Sequence, residues 1–311
     1  MSTFSLIPSV DPTQEFIEIA YDFSNPLDLV REAISNSFDA GANHIEVLFD
    51  VITEYGEKVL ITTIRDNGHG MDRNGLQSFF DLGNSLRRGC KTAIGEKGHG
   101  TKVYLNSEKI EVCTVCNGVK YIAVMDSPNR KLHNRQLPEV IVQTETCSEE
   151  NGTTIHIRGY NHNRRGEFTH AKLKDYIKWF TKMGSIELEF GITKYKDVTL
   201  LLKGVDADEP ELIEFGHVFP KNSKSVNALF DEYLVEAPKW YCKKIVRSGN
   251  LENFPEIKYD AIFCVEGTKV KYEYNPMIRR AGYSAPKGAY TIQERYGGRL
   301  TRHWALQSTS K

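Results

Sequence analysis

Nothing in this sequence suggests a membrane anchor or a disulfide scaffold. No apolar run approaches the ~20 residues that span a bilayer. The opening residues, MSTFSLIPSVDPTQEF, lack the basic start and long apolar stretch of a secretory signal. Cysteine is scarce, six in 311 residues, which argues for a reduced, cytoplasmic setting. Charge of one sign is missing too: 40 Lys and Arg stand against 41 Asp and Glu, for a net charge of -1. Any basic surface for nucleic acid therefore has to be local. There is no internal repeat and no low-complexity segment. What remains is a chain with 40% hydrophobic and 26% charged residues, long enough for two domains of common size.

Cys113 and Cys116 form one C-x-x-C. A structural zinc site needs a second pair of ligands at similar spacing, and none is evident. In the strand-like IEVCTVC an odd offset also turns the two side chains to opposite faces. The pair reads as two half-buried cysteines.

Residues 1–25 read as a lead-in with strand character at 16–20. Asn25-Pro26 starts a helix that runs to about residue 40, where Gly41 stops it. Ile45, Val47 and Phe49 alternate as a strand, residues 55–57 form a turn, and residues 59–64 form a second strand. A short helix follows at 74–82. Residues 83–101, GNSLRRGCKTAIGEKGHGT, hold five glycines and form a loop too long to be a mere connector. A helix begins near Lys102. Strands are expected at 110–115, 121–125, 139–144 and 154–158. The polar stretch GYNHNRRGE, 159–167, is the expected domain boundary. Beyond it lie an amphipathic helix at 172–182 and strands at 186–190, 198–202 and 261–265. From Glu294 on, the chain reads as poorly structured, either a tail or the cut edge of something longer.

Two stretches carry chemistry. In the helix LDLVREAISNSFDA, Leu27, Val30, Ala33, Ile34, Ser37 and Phe38 share one face. Glu32, Asn36 and Asp39 share the other. An exposed helix site has no need of asparagine, a mediocre helix former. An amide oxygen one turn from a carboxylate can coordinate a hard cation while the carboxylate polarises a water. The second stretch is IRDNGHGMD, 64–72, where two glycines flank His69 directly after a strand. Gly68 and Gly70 let the backbone approach something closely, and Asp66 is placed to accept a hydrogen bond. The loop GEKGHGTK, 95–102, is a near miss for the P-loop: Gly95 and Gly100 have the right separation, but Thr101 and Lys102 stand in the wrong order and no strong strand precedes them. As a glycine loop its backbone N–H groups can still wrap phosphates.

Together these stretches resemble the GHKL ATPases, the gyrase, heat-shock chaperone, histidine kinase and mismatch-repair superfamily with the Bergerat nucleotide fold. Motifs stand in the family's order: Glu32, Asn36 and Asp39 in EAISNSFDA; Asp66, Gly68 and Gly70 in DNGHGM; Gly95, Gly98 and Gly100 in IGEKGHGTK; and Gly152-Thr153 in NGTTIHI. The resemblance covers roughly residues 15–160. LGNSLRR, 82–88, and DNGHGM are most similar to the MORC, chaperone-like and MutL-type branch. Histidine kinases usually carry Lys or Arg where Asp39 stands, and residues 1–25 offer no phosphoacceptor helix.

The resemblance implies an α+β chain. A Bergerat-fold ATP-binding domain, a mixed sheet covered by helices on one face, takes residues 1–163 with a lid at about 83–101. A second α/β domain, of the ribosomal-S5-like transducer kind in related proteins, takes 164–311. It implies ATP and Mg2+ as cofactors. Asp66 would accept from the adenine amine, which suits adenine and not guanine, and Thr153 would support the same contact. Asn36 would bind magnesium, and Glu32 would be the general base. The nucleotide would also meet Gly68, Gly70, Met71 and Ser85, with Gly95, Lys97, Gly98, His99, Gly100 and Thr101 around its phosphates. Asp39 reads as structural. The resemblance further implies slow hydrolysis that drives lid closure and homodimerisation in the ATP-bound state, a conformational switch acting on a protein or DNA client, with no membrane partner. Lys239, Lys269 and Lys287 are the candidates for a transducer lysine. Arg279-Arg280 could contact phosphate or form salt bridges. Two alternatives stay open: a nucleotide-sensing module without turnover, and the ATPase subunit of a DNA-processing or defence system.

Overall fold

The computed structural model describes residues 5, 10–21, 23, 25–82, 100–274, 289–296 and 299–307. The Cα framework divides into two units, 1–174 with 197–214, and 175–196 with 215–311. The chain leaves the first unit at 174/175 and returns over 197–214 to add two strands to its sheet.

In the first unit, α1 is Pro12–Tyr21 and α2 is Asp28–Asp39. The strand expected at 16–20 is thus a helix. Asp11 accounts for part of this, since its carboxylate takes N–H groups from Thr13 at 2.9 Å and Gln14 at 3.3 Å, an N-terminal cap. At the start of α2 the Asn25 side chain accepts from the Leu27 N–H at 3.0 Å. At its end Gly41 has φ +72°, with Ala42 N–H on the Ser37 carbonyl at 3.0 Å and Gly41 N–H on Phe38 at 3.1 Å. This is the glycine stop expected from the sequence, in its Schellman form.

β1 (His44–Glu54) and β2 (Glu57–Asp66) form a hairpin, and α3 spans Arg73–Phe80. Where a helix was expected near Lys102, a 3-10 turn covers Gly100–Leu105. β3 (Lys109–Cys116), β4 (Val119–Asp126), the short α4 (Pro128–His133), β5 (Val140–Thr146) and β6 (Gly152–Arg158) follow. α5 (His170–Phe180) runs across the division between the units, and β7 (Thr199–Lys203) and β8 (Glu211–Glu214) complete one eight-stranded sheet of order β5-β4-β3-β6-β2-β1-β7-β8. Only β1 and β7 pair in parallel. Burial alternates along β1, with Ile45, Val47 and Phe49 fully buried. The α2 stripe of Val30, Ala33, Ile34, Ser37 and Phe38 is buried as its spacing predicts. The sheet is mixed and helices pack on it, an α+β architecture.

The second unit is α/β with its own sheets. It contains a 3-10 turn at Glu187–Phe190 where a strand was expected. It continues with α6 (Val226–Tyr233), α7 (Ala237–Trp240), the antiparallel pair β9 (Cys242–Leu251) and β10 (Phe254–Glu266), and α8 (Thr268–Tyr274). The segment from Glu294, expected to be poorly structured, holds part of a hairpin between β11 (Ala289–Tyr296) and β12 (Arg299–Gln307). Lys239 pairs with Glu236 at 3.0 Å and Lys269 is exposed. Lys287 and Arg279-Arg280 lie outside the described residues. Among the described residues no helix is long and apolar enough to cross a membrane.

Candidate functional site

The C-terminal end of β2 and the polar face of α2 open on one cavity of about 470 Å³ in the first unit. This lies within the range of small-molecule sites, roughly 300–1,000 Å³. Glu32 and Asn36 reach it from α2, Asp66, Gly70 and Met71 from the end of β2, and Gly100, Thr101 and Thr153 from the 3-10 turn and β6. Eight of the residues singled out in the sequence thus meet in one place. Gly68 stands beside them and does not line the cavity. Ser85, Gly95, Lys97, Gly98 and His99, with most of the expected lid, lie outside the described residues.

Asp66 is the last residue of β2. Its Oδ1 accepts the Gly68 N–H at 2.9 Å, and Ser37 Oγ lies 3.4 Å from Oδ2 while also bonding the Ala33 carbonyl at 3.1 Å. Burial pushes its carboxyl above the usual range, and the Gly68 N–H and Ser37 hydroxyl pull it back. A Cβ on Gly68 would stand 2.6 Å from the Ala40 Cβ, so this glycine lets the loop lie on the end of α2. The His69 N–H bonds the Ala40 carbonyl at 3.0 Å and locks that approach. Gly70 combines φ +69° with direct contact to the Val115 carbonyl oxygen, so no side chain fits there.

Thr153 is held by a residue the sequence reading passed over. Thr114 of β3, fully buried, places its hydroxyl 3.1 Å from Thr153 Oγ1 and accepts the Met71 N–H at 2.8 Å. A threonine inside a strand carries no visible signal beyond strand propensity. Thr114→Val keeps the shape and leaves the Met71 N–H without its partner. It should cost about 1–3 kcal/mol of stability in urea denaturation and weaken any ligand held against Thr153.

Glu32 is constrained on both oxygens. Oε1 takes Arg31 Nη2 at 3.1 Å and Nε at 3.3 Å, and Arg31 also pairs with Asp28 at 3.0 Å. Oε2 lies where a Cβ on Gly100 would be. Burial raises the Glu32 pKa, and the Arg31 guanidinium opposes the rise. Lys102, only 1% exposed, donates to the Phe79 carbonyl at 2.7 Å and to Thr101 Oγ1 at 2.8 Å. Burial brings its pKa down to about 7, against the nearby Asp81 carboxylate. Lys102 so ties the end of the glycine loop to α3.

One detail bears on a cation. The Tyr104 hydroxyl is fully buried, with the Asn36 side chain and the Glu32 carboxylate beside it. An amide oxygen and a carboxylate side by side suit a hydrated divalent ion. Magnesium keeps most of its waters and needs few protein ligands.

This is a nucleotide-sized cavity at the edge of a mixed sheet, with one helix supplying a carboxylate and an amide. Residues 25–154 match the family described as histidine kinase-, DNA gyrase B- and HSP90-like ATPases, the GHKL type of ATPase domain. ATP binding is the activity this domain type implies. Among solved structures, the crystal structure of the N-terminal domain of a DNA repair protein is similar at 18% identity and a TM-score of 0.36, over 77% of this chain and 65% of that one. No curated protein matches the chain.

Proposed function

We propose that this chain binds ATP with Mg2+ in the cavity of the first unit and hydrolyses it slowly, as a switch that closes the 83–101 lid and pairs two copies. The observation that carries the reading is the convergence of Glu32, Asn36, Asp66 and Thr153 on one cavity. Asp66 is positioned as acceptor for the adenine amine, with Thr153 and Thr114 behind it. Asn36 would hold the magnesium ion, which supplies charge neutralisation at the phosphates. Glu32 takes a proton from the attacking water as that oxygen bonds the γ-phosphorus. The bond from the γ-phosphorus to the bridging oxygen breaks, and its electron pair leaves with ADP.

The nucleotide-sensing alternative draws on one observation: Arg31 holds Glu32 Oε1, and Gly100 packs against Oε2. Release of that carboxylate is then the step that separates turnover from mere binding. Phosphate release from ATP and magnesium by the full chain, with and without DNA, tests the proposal. Turnover above the buffer rate is expected. Tight ATP binding with no turnover would leave the sensing reading in its place. Salt-dependent stimulation by DNA would add a DNA-processing role.

A further inference from the structure

The second unit holds a cluster that the nucleotide site does not use. β9 and β10 pair antiparallel with Cys242 opposite Glu266. Cys264 lies two residues before Glu266, so its side chain projects from the same face of the sheet. As a result Cys242 Sγ, Cys264 Sγ and a Glu266 carboxylate oxygen all lie within 4.8 Å of one another. Cys242 is 1% exposed, and Cys264 and Glu266 are half-buried. Both cysteines are free thiols. Lys271 of α8, itself buried, lies within electrostatic reach of Glu266.

We propose that Cys242, Cys264 and Glu266 form a zinc site, with water in the fourth position. Tetrahedral zinc with bonds of about 2.3 Å to sulfur and about 2.0–2.2 Å to oxygen holds its ligand atoms roughly 3.5–4 Å apart. The cluster needs only a small contraction to reach that. Soft thiolates select zinc over magnesium, so the site is chemically distinct from one built on Asn36. Charge also balances: two thiolates and a carboxylate around Zn2+ carry one net negative charge, which the Lys271 ammonium offsets. A disulfide is the poorer use of the pair. Cys264 stands opposite Lys244, so the two cysteines are diagonal neighbours. Diagonal Cβ atoms are usually separated by well over the roughly 3.5–4.5 Å that a disulfide spans.

Titrating the reduced, EDTA-stripped full chain with Co2+ tests this. The thiolate-to-cobalt charge-transfer band and the visible bands of tetrahedral cobalt should saturate at one equivalent. Zn2+ should bleach them, and excess Mg2+ should not. Cys242→Ser and Cys264→Ser should each abolish the band, and Lys271→Met should weaken binding about 10–100-fold. In the unmutated chain, zinc should protect Cys242 and Cys264 from alkylation in peptide mapping, a readout that does not depend on any variant folding. Absence of the band would overturn the site. So would its persistence in the Cys242→Ser/Cys264→Ser double variant, or zinc protection confined to Cys113, Cys116 and Cys147. None of these readouts involves ATP, so the proposal stands or falls apart from the nucleotide reading.

Discussion

Glu32→Gln lowers steady-state phosphate release by about 10²–10⁴-fold while ATP affinity changes by no more than a few-fold. That is the usual contribution of a positioned general base. Glutamine keeps the shape that packs against Gly100 and removes the group that takes the proton. The neutral variant also removes the charge that Arg31 pairs with at 3.1 Å in the parent chain, although its amide oxygen can still accept from the guanidinium. A companion measurement fixes the protonation state. Burial holds the Glu32 carboxyl above its ordinary range, so the acid limb of the rate profile should lie higher in pH than for an exposed glutamate. Arg31 lowers that pKa, so Arg31→Ala should move the limb further up. Filter binding of labelled ATP beside a phosphate-release assay separates the two effects. Unchanged turnover in Glu32→Gln would remove this residue from the chemistry.

Asp66→Ala should weaken ATP binding roughly 10- to 100-fold, the worth of about 1.5–3 kcal/mol for a hydrogen bond to a charged acceptor. The same variant should leave the weak binding of GTP nearly unchanged, since a carboxylate has no donor for the guanine carbonyl. Calorimetric titration with both nucleotides checks the difference between them. That difference matters because the substitution also removes the acceptor of the Gly68 N–H, 2.9 Å away, and so loosens the loop. A purely structural loss would lower the affinity of both nucleotides together. An equal loss for ATP and GTP would therefore overturn the role of Asp66 in reading the base.

Much of the cavity was legible because short motifs sit on elements whose periodicity is unambiguous. The α2 stripe marks which face is core, and this leaves Glu32 and Asn36 on the other. Gly70 announces a backbone that no side chain could join, and the Val115 carbonyl is the reason. Other parts could not be read locally. Thr114 reaches the site only because β3 lies beside β6 in the sheet, a pairing between residues 39 apart in the chain. The strand expected at 16–20 became a helix because a side-chain cap at Asp11 overrides the weak pattern of a short apolar run. The stretch 186–190 became a 3-10 turn closed by Gly191, whose φ of +73° suits the end of a turn.

The sequence by itself determined the helix stripe, the glycine positions and the polar residue types on the face that opens on the cavity, since each depends on neighbours within a few residues. Only the tertiary structure decided that Gly100 comes up against Glu32, that Thr114 braces Thr153, and that Cys242 meets Cys264 and Glu266. Those contacts are made across strands and turns far apart in the chain. Their register is set by packing that no local pattern encodes.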